Sequence, residues 1–550
     1  MLGRNSFPGP FAMQTYDFII VGAGSSGSVL ADKLSAGGRH SVLVLEAGGT
    51  DRRFYVQMPL GYGKTFFDPK VNWMYVAEPD PGLGGRVDAW PRGKLLGGSS
   101  SINAMVYVRG AREDFDDWRD AGNPGWGFDD LLPLFKAMED NEAGADQYRG
   151  AGGPLHVTDC KRWLHPLSER FLKAGQEVGL PFNPDFNGAR QEGVGVYQIT
   201  TRDGRRMSAA RAFLRPAMKR PNVNVLTGAH ATRILFEGSR AVGVEFRRNG
   251  QTQSVRAGRE VILSGGAVNT PQLLQLSGIG PAGLLGELGI PVLLANVNVG
   301  SNLEDHQGIN YTYRANMPTL NQVLRPWWGK LNAGLRYLLL RQGPLSISMN
   351  QAGGFFRTDP ARSRPNMQLY FQAFSTVLPR VGERPILSPD PWPGFSIGLS
   401  SCRPKSRGSI MIGSADPFAA PKIRANAYSD PADVEEMLAA VKFLRVIAQT
   451  PSMRAVIEEE LLPGQKCGND EDLIEDFRAR SGTVYHPVAT CRMGPDPASS
   501  VVDARLRVHG IGGLRVIDCS VFPNLISGNT NAAAMVVGAK GAELMLADNS

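Results

Sequence analysis

The sequence predicts an α/β fold, a parallel sheet with flanking helices joined to a second, α+β domain with a mixed or antiparallel sheet. Three observations predict it. Tyr16-Asp17-Phe18-Ile19-Ile20-Val21 is a short β-branched and aromatic run that leads into a glycine turn, a helix and a second apolar run. A similar short strand returns near the C-terminus at Arg515-Val516-Ile517-Asp518. Between about 311 and 480 the pattern changes to strands, a long helix and proline-rich loops. A length of 550 residues has room for two to four units of roughly 100–200 residues. With 42% hydrophobic and 20% charged residues, a disordered or collagen-like chain is excluded.

The elements follow in order. Met1–Met13, with Pro8, Gly9 and Pro10, reads as a loose extension without a secretory leader. Tyr16–Val21 is the first strand, about Ser28 to Leu34 a helix, and Ser41–Leu45 a second buried strand ending in Glu46. Strand, glycine turn, helix and strand make a βαβ unit of the Rossmann type. Ser99–Arg109 follows another glycine turn, and Asp114–Asp120 reads as polar surface. The stretch 150–205 is irregular and rich in Gly, Pro and Asn. Asn222–Thr227, Ala241–Phe246 and Val261–Ser264 read as strands. In the second domain Asn366–Phe371 and Phe395–Leu399 are strands, Pro431–Gln449 is a helix, and proline-rich loops lie near 379–394. Asn531–Met545 closes the chain as a helix rich in Ala and Met.

In that setting Gly22, Gly24 and Gly27 have distinct physical roles: the tight turn, the approach of backbone to a pyrophosphate, and close packing of helix on strand. The helix N-terminus offers free N–H groups and a positive dipole end to phosphates. Glu46 stands nineteen residues beyond Gly27, where a carboxylate can bind ribose hydroxyls and would repel a 2′-phosphate. These features predict a dinucleotide and leave FAD and NAD open.

Three longer segments narrow the choice. They are Pro91-Arg92-Gly93-Lys94-Leu95-Leu96-Gly97-Gly98-Ser99-Ser100-Ser101-Ile102-Asn103-Ala104, then Ser264-Gly265-Gly266-Ala267 through Gly278-Ile279-Gly280-Pro281, and Tyr485-His486-Pro487 followed by Gly528-Asn529-Thr530-Asn531. With these motifs the chain resembles the glucose–methanol–choline (GMC) oxidoreductases, FAD enzymes acting on alcohols, from Tyr16 to the last helix. Within that family it looks most like bacterial alcohol, polyethylene glycol, L-sorbose and choline dehydrogenases.

The resemblance implies a discontinuous FAD-binding domain over 14–160, 206–310 and 486–547, and a substrate-binding domain over 161–205 and 311–485. It implies that Gly22, Gly24, Ser25, Ser26, Gly27, Glu46 and Ala47 hold the ADP half. Trp73, Arg92, Gly97, Gly98, Asn103, Ala104, Met105 and Val106 would line the flavin side, and Ala231 the adenine region. Ser264 joins the cofactor-binding set, Asp518 and Cys519 would meet the ribityl–phosphate portion, and Asn529, Thr530 and Asn531 the pyrimidine edge. Some choline-oxidising relatives bear a histidine linked to flavin in the glycine–serine motif. The matching position here is Ile102, so the expected FAD is non-covalent.

Oxidising an alcohol removes a hydroxyl proton and a hydride from the same carbon. Flavin N5 can take the hydride, and a histidine is the natural base. Of seven histidines, His486 matches the family's catalytic position, and Asn529 matches the second active-site position, where its amide can donate to a developing alkoxide. The expected activity is oxidation of a primary alcohol, or else a polyol or sugar, with electrons passed to a quinone-type acceptor. An oxygen-using oxidase or a hydroxynitrile lyase of the same family are the alternatives.

The other candidates read as structure. His306, in Asn302-Leu303-Glu304-Asp305-His306, is expected to be a hydrogen-bonding element, and His509 a surface turn. The five cysteines form no CxxC pair, so neither a disulfide framework nor a metal site is expected, and Cys491 and Cys519 read as packing residues. Arg205 and Arg206 read as a solvated loop. The sequence shows no convincing cage for a cation such as choline, although the scattered aromatics Trp327, Trp328 and Tyr370 would permit one. The net charge of +7 is spread out and reads as a solvated surface, with anionic membrane as the next partner and nucleic acid excluded. With no apolar run near the roughly 18 residues of a membrane span, a cytoplasmic enzyme is expected, and loose membrane contact would suit a quinone acceptor.

Overall fold

Phe18, Ile19 and Ile20 are buried, which places Thr15–Val21 inside the first sheet. Each such side chain withdrawn from water contributes about 1.5–3 kcal/mol. The computed structural model describes residues 14–376 and 388–549, the Arg162 side chain excepted. The expected N-terminal extension and residues 379–387 of the proline-rich stretch lie outside the described residues.

Val42–Glu46 flanks Thr15–Val21 on one side and the C-terminal half of Gln251–Leu263 on the other, both parallel. Val223–Thr227 and Leu514–Val516 extend the two sides, again parallel. The N-terminal half of Gln251–Leu263 pairs antiparallel with Arg240–Arg248, which pairs with His230–Glu237. The expected Val261–Ser264 strand is therefore the end of a longer one that serves both kinds of pairing. The first helix runs Ser25–Ser35, starting three residues earlier than expected, because Ser25 and Ser26 supply its open first turn. The terminal helix Asn531–Asp548 is buried against it, and a Cβ at Gly538 would stand 2.7 Å from the Ser26 carbonyl oxygen.

The second sheet is antiparallel, in the order Ile457–Leu462, Gln307–Ala315, Gly394–Ser401, Met367–Gln372, Ala352–Phe356 and Gly193–Val196. Gly482–Thr483 adds to the edge of Gln307–Ala315. Helix Pro431–Ala448 packs Met437, Val441 and Leu444 into the same core.

Two readings of the sequence need correction. The stretch 150–205 contains the helix Pro166–Glu177 and the strand Gly193–Val196; Gly and Pro mark their ends. Asp114–Asp120 is not simply polar surface but lies in the helix Arg112–Asp120, which buries Phe115 and Trp118. Asp114 is buried as well. Its carboxylate accepts from the Ser527 N–H (2.7 Å) and hydroxyl (3.0 Å) and from the Ala111 N–H (2.8 Å). The charge thus ties this helix to the loop that carries Asn529.

Candidate active site

The first strand ends at Gly22, whose φ of +102° suits glycine, and a Cβ there would stand 2.4 Å from the Ser264 carbonyl oxygen. The helix that follows has no side-chain cap and no acidic residue in its first turn, so its N–H groups stay free for an anion. Gly98, at φ +52°, faces this turn: a Cβ on it would lie 2.8 Å from the Gly24 Cα. Ser25 Oγ donates to Asn531 Oδ1 (2.7 Å) and Ser26 Oγ to the Ala534 carbonyl (2.6 Å), which ties this helix start to that of the terminal helix.

A cavity of about 1340 Å³ opens over these elements. It exceeds the roughly 300–1,000 Å³ of an ordinary small-molecule site, as an extended dinucleotide with a substrate beside it requires. Gly22, Gly24, Ser25, Ser26, Glu46, Ala47, Trp73, Arg92, Gly98, Asn103, Ala104, Met105, Val106, Ala231, Ser264, Asp518, Cys519, Asn529, Thr530 and Asn531 line it, and so does His486. Gly27 and Gly97 do not. A Cβ at Gly27 would meet the Gly22 carbonyl oxygen at 2.0 Å, and one at Gly97 the Ser101 Oγ at 2.3 Å, so these glycines shape the wall from behind. Ile102 lines the cavity and packs with Val56, Val71 and Leu95.

The lining chemistry fits a dinucleotide. Glu46 accepts from the Gly48 N–H (2.7 Å) and the Ala23 N–H (3.0 Å), which leaves lone pairs for ribose hydroxyls. Burial pushes its carboxyl up to about 7 against those two bonds and Lys94. Arg92 donates from Nη2 to the Tyr485 carbonyl (2.7 Å), while its buried Nε has no protein partner. Trp73 stacks on Tyr75, and Lys94 lies 4.4 Å from its ring. Asp518 accepts from the Gly266 N–H (2.8 Å), Thr270 Oγ1 (2.6 Å) and the Ser520 N–H (2.8 Å), so it holds backbone in place around the cavity. Burial pushes the Cys519 thiol up to about 12, which keeps it protonated and unreactive.

His486 follows the short strand Gly482–Thr483. Its N–H donates to Asp305 Oδ1 (2.8 Å), and Thr483 Oγ1 bonds the other oxygen of that carboxylate. Its ring meets two partners. Nδ1 lies 3.1 Å from His306 Nδ1, and Nε2 lies 3.4 Å from Asn529 Nδ2. His306 Nε2 lies 3.0 Å from the Ile526 carbonyl, which can only accept, so that nitrogen carries a proton. The His306 Nδ1 of a neutral ring is then an acceptor. His486 donates from Nδ1 and keeps a lone pair on Nε2. Burial, His306 and Arg92 hold His486 well below its ordinary range, and burial lowers His306 to about 4, so both rings are neutral at neutral pH.

Asn529 is oriented from the second sheet. Gln368 Nε2 donates to Asn529 Oδ1 (3.3 Å), and Tyr370 donates to Gln368 Oε1 (2.7 Å). The Asn529 amide therefore turns its N–H₂ toward His486. Tyr370 lines the cavity, but Trp327 and Trp328 face solvent, do not line it and build no cage there. Arg206, expected in a solvated loop, is buried because its guanidinium reaches the Val56 carbonyl (3.0 Å), the Ser100 carbonyl (3.3 Å) and Asn103 Oδ1 (2.7 Å). Arg205 stays exposed. His306, Gln368 and Arg206 are the residues that reading the sequence did not place at the site. Their partners stand far away along the chain.

Models of the GMC oxidoreductase family match residues 16–308 and 404–538. The chain is 44% identical over 535 residues to an alcohol dehydrogenase [acceptor] of Pseudomonas putida, covering 96% of each. It is 41% identical to an oxygen-dependent choline dehydrogenase of Rhizobium etli, covering 96% of this chain and 95% of the relative. Among solved structures, the pyridoxine 4-oxidase of "Mesorbium loti" superposes with a TM-score of 0.86 at 31% identity, covering 96% of this chain and 98% of that one.

Proposed function

This chain belongs to the GMC oxidoreductases, and we propose that His486 is the base and Asn529 the alkoxide partner in its oxidation of a primary alcohol or polyol. It is an FAD-dependent alcohol dehydrogenase. Bound FAD supplies the hydride acceptor at N5. Nε2 of His486 takes the hydroxyl proton, and the Asn529 N–H₂ donates to the oxygen as it gains negative charge. The open N-terminus of helix Asn531–Asp548 adds a fixed positive dipole end at the same place.

The observation that carries this reading is the hydrogen-bonded order Ile526 carbonyl, His306, His486, which leaves the Nε2 lone pair on the side of Asn529. Gly22, Gly24, Ser25, Ser26, Glu46 and Ala47 would hold the ADP half, and Trp73, Arg92, Gly98 and Asn103 to Val106 would border the ring system. The division into a cofactor domain (14–160, 206–310, 486–547) and a substrate domain (161–205, 311–485) is supported by the two sheets. All strands of the parallel-centred sheet fall in the first set, and those of the antiparallel sheet in the second, apart from the start of Gln307–Ala315. A quinone-type acceptor fits the acceptor-linked relative from Pseudomonas putida.

The test is an anaerobic panel of primary alcohols, polyols and choline, scored by loss of flavin absorbance. Bleaching by a primary alcohol or a polyol, with turnover on an artificial quinone exceeding peroxide formation in air, is the expected result. Bleaching with peroxide dominant would make the enzyme an oxidase, and no bleaching by any alcohol would remove the reading.

A further inference from the structure

We propose that the helix Trp327–Leu340 is a docking surface for an anionic lipid bilayer. An ordinary surface helix turns its apolar side inward and its polar side to water. This one is inverted. Ala333 and Tyr337 are its buried residues. At 3.6 residues per turn, Trp327, Trp328, Leu331, Leu335, Leu338 and Leu339 fall within roughly 80° of the opposite direction. All six are exposed, with Trp327 at 72% and Leu339 at 78%, values that leave nearly the whole side chain in water. Phe54, 51% exposed with its ring 6.2 Å from Tyr337, and Val323 extend the patch. Apolar surface gathered this way marks a site of interaction.

The charge around the patch selects the partner. From residue 307 to 358 the chain contains no Asp or Glu; Arg314 and Arg357 pair with Glu459 and Glu192 on other elements, and Arg325, Lys330, Arg336 and Arg341 lie on or beside the helix. Lys330 and Arg336 are exposed and leave the helix on opposite flanks, Arg336 about midway between the buried and the outward sides and Lys330 nearer the buried one. That is the layout of a helix lying in a membrane interface, with tryptophan and leucine among the acyl chains and basic side chains at the phosphates. Among the described residues no helix is long and apolar enough to cross a membrane, so the contact is peripheral.

The helix is firmly seated on the protein. A Cβ at Gly329 would stand 2.2 Å from the Val323 carbonyl oxygen. Ala333 packs in one cluster with Leu60, Tyr62, Leu324, Met349 and Phe374, of which Tyr62 and Met349 line the active-site cavity. On the alcohol-dehydrogenase reading, docking here sets the cavity beside the phase in which a lipid-soluble acceptor dissolves.

The test is co-sedimentation of the FAD-loaded enzyme with vesicles of equimolar phosphatidylcholine and phosphatidylglycerol, and with phosphatidylcholine alone. The enzyme is expected to pellet with the mixed vesicles. Trp327→Ser/Trp328→Ser/Leu339→Ser should lower that affinity at least about ten-fold, and Lys330→Gln/Arg336→Gln should remove the preference for phosphatidylglycerol. Both variants should keep full turnover with a soluble acceptor. The proposal is overturned if the wild type stays in the supernatant or the triple variant pellets equally well. It is also overturned if sedimentation velocity shows a wild-type dimer that the triple variant dissolves, since the patch would then bind a second copy. Pelleting needs no turnover, so its failure leaves the alcohol reading standing, and an inactive enzyme that pellets leaves the docking surface standing.

Discussion

His306 and His486 face each other through their Nδ1 atoms at 3.1 Å, with ring planes 85° apart. One nitrogen of the pair must donate and the other accept. The Ile526 carbonyl at His306 Nε2 decides which, and so sets the tautomer of His486 from outside the cavity. His306 is thereby a positioning residue.

Replacing His306 with Phe removes the acceptor for His486 Nδ1. Flavin reduction by alcohol should slow about 10–100-fold, as when a partner that orients a reactive ring is lost. Gln can offer an N–H to the Ile526 carbonyl and an oxygen to His486, so His306→Gln should recover part of the loss. Stopped-flow traces of the two variants check this. Equal rates in both would show that the ring only fills space.

Nitrogen NMR of histidine-labelled enzyme reads the tautomers directly. At neutral pH, His486 should show a protonated Nδ1 and an unprotonated Nε2, and His306 the reverse. Both rings are pushed down by burial, so lowering the pH through 6.5 should leave both neutral, with His306 gaining a proton only near 4. The sign is that of a neutral buried histidine: the base form is populated across the working range. Titration of either ring at or above 6.5 would contradict the assignment.

Gly98→Ala puts a Cβ 2.8 Å from the Gly24 Cα at a φ of +52°. The glycine turn that would hold the pyrophosphate must open, so the purified variant should carry much less FAD per chain by absorbance. Gly84→Ala is the control, since φ is +66° and nothing lies within 4 Å of its Cβ. It should carry the backbone cost alone and keep its FAD.

Arg206→Ala leaves the Val56 and Ser100 carbonyls without this donor and takes one of two donors from Asn103 Oδ1, which keeps the Met105 N–H. Burial has already lowered this guanidinium to about 9, so its place depends on those bonds. The expected loss is about 2–4 kcal/mol of stability, read as an earlier denaturant midpoint. An unchanged midpoint would mean that water replaces the side chain without cost.

The cofactor half was legible because each local signal agreed with its neighbours. An apolar run, a glycine turn, a small-residue helix start and a spaced acid all lie within Tyr16 to Glu46, and a parallel strand pairs them with no distant information. Asn529 and His486 were legible only through long family motifs. His306 was read as structural, since sequence offers no view of a ring 180 residues away. Arg206 looked like an ordinary surface arginine until three distant oxygens closed around it. Trp327 and Trp328 stood in the sequence only as scattered aromatics, since composition does not say which side of a helix meets water.

On the proposed mechanism, Nε2 of His486 removes the alcohol proton. The most direct test is anaerobic flavin reduction by a bleaching alcohol in His486→Ala against wild type, at equal FAD content. A positioned base is worth typically 10²–10⁴-fold, so reduction should slow by at least about 100-fold while the flavin stays bound. A variant that bleaches at the wild-type rate would contradict the account.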